Sequence, residues 1–328
     1  MENSNRTILV TGATGHQGSA VAHHLLKRGN FQVRALVRDK HTPAAQSLQR
    51  LGAELFVGDL DEQASLEHAL QGVYGVFSMQ GLNDGIEAEI REGKAIVDVA
   101  KALGIEHFVY SSVGSAERNT GVPHFDSKFQ IEEYVRASGL PYTILRPVFF
   151  FYNYDGMRAI VETGTLSQPL SPETKLQQLS EEDYGEMVAD VFARFTDFAN
   201  REIEVASGEM TMPEVAAAFT RVLGKNVAYE QIPFAAFEQQ AGAEMTAMYR
   251  WFENVGYGAD LAQLKRDLPA PTDFESYLRE DDWVKQAAWI ESRTQEASYK
   301  LIDRMYEYLN RHLNGKEFVV GNRLTIAR

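Results

Sequence analysis

The feature that most constrains the fold of this chain is a glycine-rich turn between an apolar strand and a helix. The apolar run at 7–10 leads into Gly12, Gly15 and Gly18, and a helical pattern follows from residue 19. Gly12 permits a tight turn, Gly15 lets the backbone approach a phosphate, and Gly18 lets the helix pack closely on the strand. The helix N-terminus adds free N–H groups and a positive dipole end. This context is typical of folds that bind a nucleotide pyrophosphate.

Strands and helices alternate through the first 147 residues. Helices between short apolar strands impose right-handed βαβ units and parallel pairing. The sequence therefore predicts an α/β fold with a doubly wound parallel sheet of the Rossmann type. The predicted strands after the first lie at 32–37, 54–57, 74–78, 107–111 and 142–145, and the predicted helices lie at 43–51, 63–70, 86–103 and 129–137.

The rest of the chain predicts two further regions. Residues 148–283 are expected to form a smaller mixed α/β lobe that binds a substrate or partner. Segments near 180–206 are expected to return to the first domain, at 1–147, with a helix that Ser180 caps and a strand at 202–206. Residues 284–328 form a helical tail, in which 294–313 has the apolar stripe of an amphipathic helix.

Composition excludes several classes of function. The formal net charge of −14 over 328 residues disfavours direct contact with nucleic acid or anionic membranes. The chain has no cysteine, which excludes disulfides, thiol catalysis and thiolate metal sites, and no metal-ligand cluster is expected. No apolar leader and no long apolar run is visible, so a cytoplasmic location is expected.

The glycine turn, read as GATGHQG at 12–18, resembles that of atypical short-chain dehydrogenases/reductases. The segments VGDLD at 57–61, HFDSK at 124–128 and ILRP at 144–147 narrow the resemblance to the NmrA-like family. Two segments of the second lobe, MYRWF at 248–252 and GYGAD at 256–260, also resemble that family. The resemblance covers about 5–283. It implies an NADP(H) cofactor and either a redox sensor and regulator or an NADPH-dependent quinone reductase.

The tail has a resemblance of its own. The stretch 308–327 is similar to part of the C-terminal helical domain of glutathione S-transferases. A thioredoxin-like half is missing, so this similarity implies no transferase activity.

Arg38 is the residue on which the choice of cofactor depends. It is the first polar group after the second strand, where an arginine suits the 2′-phosphate of NADP and an acid would suit NAD. The neighbouring Asp39 would repel that phosphate unless its carboxylate points away. Asp59, at the end of the third strand, is expected either to meet the adenine or to cap the next helix.

The family resemblance implies a long row of cofactor contacts. An aromatic wall past the nicotinamide would shield the ring and stack a planar quinone, although consecutive side chains cannot all face one way and half are expected in the core. The implied cofactor-binding residues are Gly12, Thr14, Gly15, His16, Gln17, Gly18, Arg38, Asp59, Leu60, Met79, Gln80, Gly81, Lys128, Phe150, Phe151, Tyr152 and Asn153.

Three residues are candidates for catalysis: Ser112, His124 and Lys128. Active short-chain dehydrogenases have a tyrosine proton donor four residues before the lysine, and this chain has His124 there. A lysine ammonium nearby favours neutral imidazole, a poor acid, so a structural histidine is slightly favoured over a catalytic one. The sequence thus favours an NADP(H)-binding redox sensor or regulator that acts on a protein partner. The alternative is an NADPH-dependent reductase of a small quinone or carbonyl.

Overall fold

The computed structural model describes residues 6–82, 84–267, 271–280 and 283, and two short strands at 319–320 and 323–324. The chain divides into two compact units, Met1–Tyr277 and Leu278–Arg328. In the described part of the chain, no helix is both long and apolar enough to cross a membrane.

A seven-stranded sheet forms the centre of the first unit. Its strands are β1 (Arg6–Val10), β2 (Phe31–Val37), β3 (Glu54–Val57), β4 (Gly75–Ser78), β5 (His107–Ser111), β6 (Tyr142–Pro147) and β10 (Arg201–Val205). They lie in the order β10-β6-β5-β4-β1-β2-β3, and each neighbouring pair is parallel. The chain starts in the middle of the sheet and winds outward in both directions. The doubly wound Rossmann fold predicted from the sequence is therefore confirmed, with its switch point between β1 and β4.

Helices cover both faces of this sheet. They are α1 (His16–Arg28), α2 (Pro43–Arg50), α3 (Gln63–Leu70), α4 (Ile86–Ala102), α5 (Pro123–Ser138) and α7 (Glu181–Ala193). Successive residues of a strand point to opposite faces, so Ile8 and Val10 enter one apolar cluster and Leu9 enters the other. Helix α7 packs on α1 so closely that a Cβ on Gly185 would lie 2.7 Å from the backbone of Ala20.

The second lobe contains two small sheets. Strands β7 (Phe149–Phe150), β9 (Lys175–Leu179) and β11 (Gly208–Thr211) form one, and the parallel pair β8 (Thr165–Gln168) and β12 (Ala228–Gln231) forms the other. Its helices are α6 (Arg158–Val161), α9 (Met212–Leu223), α10 (Phe234–Asn254) and α11 (Leu261–Asp267), and α12 (Phe274–Glu280) follows. The short helix α8 (Phe195–Phe198) lies beside the central sheet, where the Phe198 carbonyl accepts the Thr143 hydroxyl. The Ser180 hydroxyl accepts the Glu182 N–H and caps α7, as the sequence predicts.

One helix starts earlier than the sequence predicts, and this changes the position of two candidate site residues. Helix α5 starts at Pro123 and not at 129, so His124 and Lys128 lie in its first two turns. Proline at the first helical position is preset for this start, and the polar residues after it hide the helical period. Their spacing of four now places both side chains on one face.

The second unit contains the antiparallel pair β13 (Val319–Val320) and β14 (Arg323–Leu324). The helix predicted at 294–313 lies outside the described residues, as does most of the stretch at 308–327 that resembles glutathione S-transferases.

Candidate functional site

The three glycines of the turn have separate roles. Gly12 has φ +59°, and a side chain there would strike the methyl group of Met79. A Cβ on Gly18 would lie 2.6 Å from the carbonyl carbon of Gly12 and 2.9 Å from the Cα of Ala13. A Cβ on Gly15 would meet only the Gly12 oxygen, at 3.4 Å. Gly12 and Gly18 are thus required by internal packing, whereas Gly15 faces open space that a ligand can use.

The N-terminus of α1 faces the same space. Gly15 is the N-cap, without a side-chain cap, and its carbonyl accepts the Ser19 N–H at 2.9 Å. Residues 16–18, in the first turn of the helix, therefore have N–H groups with no acceptor within the helix, and these can bind an anion. The Thr11 hydroxyl fixes the turn against β4, since it donates to the Met79 carbonyl at 2.8 Å and accepts the Met79 N–H at 2.7 Å.

A cavity of about 510 Å³, the switch-point cavity, opens at the carboxyl ends of these strands. Eight of the predicted cofactor residues line it: Gly12, Thr14, Gly15, Arg38, Asp59, Leu60, Met79 and Gly81. Six others line it that the sequence did not single out: Leu36, Val37, Gly58, Asp61, Asp84 and Glu92. The open side at Gly15 and the free helix N–H groups fit a dinucleotide pyrophosphate.

Arg38 gives this cavity its positive end. Within the described part of the chain it forms no ion pair. The Asp39 carboxylate accepts the His41 N–H at 2.8 Å, so it is turned into its own loop. The Asp39 carboxylate therefore points away from the place that a phosphate would occupy beside Arg38, as the sequence analysis required.

The wall of the switch-point cavity that Asp59, Asp61, Asp84 and Glu92 form is acidic. Arg91 forms two hydrogen bonds to Asp61, at 2.7 and 2.8 Å, and these hold the pKa of that carboxyl below its usual range. Burial and the charges of Asp61, Asp59 and Asp84 raise the pKa of Glu92 to about 7. This wall therefore changes its charge near neutral pH.

Two predictions need correction at this cavity. Asp59 does not cap the next helix, because α3 has Glu62 at its N-cap and the Asp59 carboxylate accepts the Asp61 N–H at 3.0 Å. Gln80 was predicted to bind the cofactor, but its side chain is 3% exposed and its amide donates to Ser78. Its neighbours Met79 and Gly81 line the cavity because successive residues point to opposite sides.

A second cavity of about 380 Å³, the aromatic cavity, opens further along the same sheet edge. Its walls come from the ends of β5 and β6, from α5 and from α10. Its apolar lining is Leu82, Val113, Phe125, Pro147, Val148, Phe149, Phe150, Tyr152, Met157, Met245, Met248, Tyr249 and Tyr257, and its polar lining is Gln17, Ser112, His124, Lys128 and Asn153. Leu82 directly follows Gly81 of the switch-point cavity, and Gln17 lies two residues after Gly15, so the cavities are neighbours.

The aromatic run divides between cavity and core. Tyr152 lies between His16, at 4.3 Å between ring centroids, and Phe150, at 5.0 Å, in a stack. Phe151, predicted to bind the cofactor, is buried against Phe274 and Tyr277 and does not line the aromatic cavity. His16 contributes its ring to this stack rather than to either lining.

Buried carboxylates hold two of the catalytic candidates. The Lys128 ammonium pairs with Glu89, whose side chain is fully buried on α4. The Ser112 hydroxyl donates to Glu132 at 2.6 Å, and Glu132 also binds the Arg146 guanidinium at 2.7 and 2.9 Å. Ser112, a candidate for catalysis, thus already donates its hydroxyl proton to a carboxylate.

His124 also has an acidic partner. Its Nδ1 lies 2.8 Å from Oε1 of Glu244, which comes from α10. From the sequence, Lys128 was the one charged group expected near His124. The structure adds a carboxylate to each of these two side chains, so the argument for a purely structural histidine loses its premise.

A hydrogen-bond chain runs from the core to the aromatic cavity. The buried Tyr184 hydroxyl donates to Ser111 at 2.6 Å, and the Ser111 hydroxyl donates to Gln17 at 2.8 Å. Gln17 lines the aromatic cavity from the first turn of α1. No local sequence pattern marks Tyr184, which lies on the returning helix α7.

A Rossmann sheet with a glycine turn at its switch point, and a serine and a lysine beside a second cavity, defines a dinucleotide-binding protein of the short-chain dehydrogenase/reductase type. The chain belongs to the NmrA-like family, whose family model matches residues 4–301. The family predicted from the sequence is thereby confirmed. An NmrA-like family domain-containing protein of Dictyostelium discoideum is 25% identical over 295 residues, which are 84% of this chain and 97% of that protein.

Solved structures agree with this assignment. The triphenylmethane reductase of Citrobacter sp. complexed with NADP(H) is 26% identical, with a TM-score of 0.73 over 85% of this chain and 99% of that one. The NADPH-dependent quinone oxidoreductase of Escherichia coli complexed with NADPH is 25% identical, with a TM-score of 0.70 over 83% and 98%. NmrA, a negative transcriptional regulator, in complex with NADP is 25% identical, with a TM-score of 0.73 over 87% and 97%.

Proposed function

We propose that this protein is an NADPH-dependent reductase of quinones or related planar carbonyl compounds. The observation that carries the proposal is the aromatic cavity beside the switch-point cavity, at one sheet edge. The two basic side chains in its lining, Lys128 and His124, each have a carboxylate partner. An uncharged, planar acceptor suits such a site.

The cofactor in this proposal is NADP(H), as in the three solved relatives. The Gly15 backbone and the N-terminus of α1 bind the pyrophosphate, and Arg38 binds the 2′-phosphate. The nicotinamide end then points along the sheet edge toward Gln17 and Lys128. These roles are proposals that rest on the lining of the two cavities.

The substrate class follows from the walls of the aromatic cavity. Aromatic rings offer faces for stacking, and methionine side chains adapt to flat apolar molecules. Three methionines, Met157, Met245 and Met248, lie among the aromatic residues. Its volume is at the lower end of small-molecule sites, so small acceptors are favoured over large ones.

A redox sensor is the second candidate, and two observations favour it. His124 stands in place of the tyrosine donor of short-chain dehydrogenases, and the Ser112 hydroxyl donates its hydrogen bond to Glu132. A sensor needs only cofactor binding that differs between NADPH and NADP⁺.

The deciding experiment measures NADPH oxidation with quinones of increasing size, beside NADPH and NADP⁺ affinities by calorimetry. Leu82→Trp fills the aromatic cavity and is expected to raise KM about tenfold, the equivalent of about 1.4 kcal/mol. Leu103→Trp is the control, because Leu103 is similarly exposed, at 44% against 40%, and lies at the end of α4. No turnover, with affinities that differ between NADPH and NADP⁺, would replace the reductase with the sensor.

A further inference from the structure

We propose that Glu244 is a positioning residue that holds His124 as the proton donor to the reduced acceptor. This inference rests on the proposed reductase function. It adds a residue of the second lobe that no sequence pattern marked.

The contact itself joins the two lobes. Oε1 of Glu244 lies 2.8 Å from Nδ1 of His124, across 120 residues of sequence. The His124 side chain is 15% exposed and lines the aromatic cavity, whereas Glu244 is 47% exposed and lies behind it. A carboxylate can only accept, so it fixes a proton on Nδ1 and leaves Nε2 for the cavity.

The fold places Glu244 there by interrupting a helix. Gly242 inside α10 has φ +83°, a left-handed conformation that glycine adopts without strain. A new helical turn starts after it, where the Thr246 hydroxyl donates to the Gly242 carbonyl at 2.8 Å. A carboxylate in the first turn of a helix is favoured by the dipole. The next residues on this segment, Met245 and Met248, line the aromatic cavity.

Other charges near His124 are balanced. Lys128 lies one turn further along α5, in the same cavity, and its ammonium is paired with Glu89 from α4. No other charged side chain lines the cavity among the described residues. The charge in direct contact with His124 is therefore the Glu244 carboxylate.

When bound, NADPH supplies the hydride, which carries two electrons to the acceptor and leaves negative charge on its oxygen. Protonated His124 gives the Nε2 proton to that oxygen. The N–H bond breaks, the O–H bond forms, and the electron pair stays on Nε2. The ring is then neutral, with its remaining proton on Nδ1 held by Glu244, and water restores the proton on Nε2. No rotation of the ring is required between cycles.

The test compares Glu244→Ala and Glu244→Gln with Glu238→Gln, an exposed glutamate earlier on the same helix. Nitrogen-15 NMR of the cofactor-free protein, recorded at a pH where the ring is neutral, reports the His124 tautomer that remains after the Nε2 proton has been given up. We expect the Nδ1–H form in wild type and Glu238→Gln, and its loss in Glu244→Ala. With a quinone that wild type reduces, Glu244→Ala should lower kcat about tenfold, the scale for a residue that orients another. KM and NADPH affinity should stay within about twofold.

A double variant separates positioning from simple damage. His124→Phe should lower kcat about 100-fold, and adding Glu244→Ala to it should cost nothing further, since Glu244 acts through the ring. Additive losses, an unchanged tautomer in Glu244→Ala, or kcat equal to that of Glu238→Gln would each overturn the proposal. If wild type reduces no acceptor, the reductase function and the donor role both fail, and the tautomer alone then shows whether Glu244 orients the ring.

Discussion

Gly15 and Gly18 lie three residues apart in one turn, yet substitution by alanine should affect different properties. Gly15→Ala adds a Cβ that meets only the Gly12 oxygen, at 3.4 Å, and φ is −94°. The entropy gain in the unfolded chain, about 0.4–1 kcal/mol, roughly offsets the poorer N-cap, which costs about 0.5–1 kcal/mol. The free energy of unfolding should therefore stay within about 0.5 kcal/mol of wild type.

Gly18→Ala places its Cβ against backbone atoms of Gly12 and Ala13. Backbone cannot move aside as a side chain can, so overpacking costs about 3 kcal/mol, and better helix propensity returns about 1 kcal/mol. The net loss of about 2 kcal/mol should lower Tm by about 3 °C, given the unfolding entropy of a unit of this size.

Urea unfolding and NADPH calorimetry on both variants make the comparison. Gly15→Ala should keep its stability and lose at least about tenfold in NADPH affinity, because its methyl occupies the space for the pyrophosphate. In Gly18→Ala the free energy of unfolding should fall by about 2 kcal/mol, and this should be the main effect of the substitution. A Gly15→Ala protein that binds NADPH as wild type does, or a Gly18→Ala protein of unchanged stability, would refute the division of roles.

Three further predictions concern charge. Arg38→Ala should weaken NADPH binding by about 1–2 kcal/mol, a charge-assisted contact reduced by solvent, and leave NADH unchanged in calorimetry; equal losses would remove Arg38 from the 2′-phosphate. Glu92 has a folded pKa of about 7 against an ordinary 4.5, so the folded state binds the extra proton and stability should fall as pH rises between these values. NADPH affinity should likewise fall as pH rises through 7, and Glu92→Gln, titrated beside wild type, should reduce both slopes. Glu132→Ala removes the buried carboxylate from Arg146 and from the Ser112 hydroxyl, while Glu117 and Glu202 still pair with Arg146 at 3.1 and 2.6 Å. The loss in thermal unfolding should therefore be about 1–3 kcal/mol, and unchanged stability would contradict the role of this carboxylate.

Local sequence signals were sufficient to locate the strands of the central sheet from β1 to β6. Each strand from β1 to β6 is a short apolar run bounded by turn residues, and the predicted bounds differ from the observed ones by no more than about two residues. The start of α5 was missed by six residues, because the helix begins on polar side chains that face the aromatic cavity. The pairing of β8 with β12 joins segments far apart in sequence and has no local signal.

The site divides in the same way. The glycine turn and Arg38 could be located because each depends on its position next to a strand. The carboxylates Glu89, Glu132 and Glu244 could not, since Lys128, Arg146 and His124, which they bind, lie 14–120 residues away in sequence. Any exposed helical glutamate has the same local pattern as these, and only tertiary packing distinguishes them.

The late return of the chain to its first sheet has a consequence for biosynthesis. Strand β10 pairs with the outer edge of β6, and α7 covers the apolar face of α1. A ribosome that has released residues up to 147 has therefore produced most of a Rossmann sheet whose edge and one helix remain uncovered. The nascent chain must keep this surface from aggregating until residue 205 emerges. A gene fragment that ends at 147 should for the same reason yield insoluble protein, whereas one that ends after residue 277 retains both covering elements.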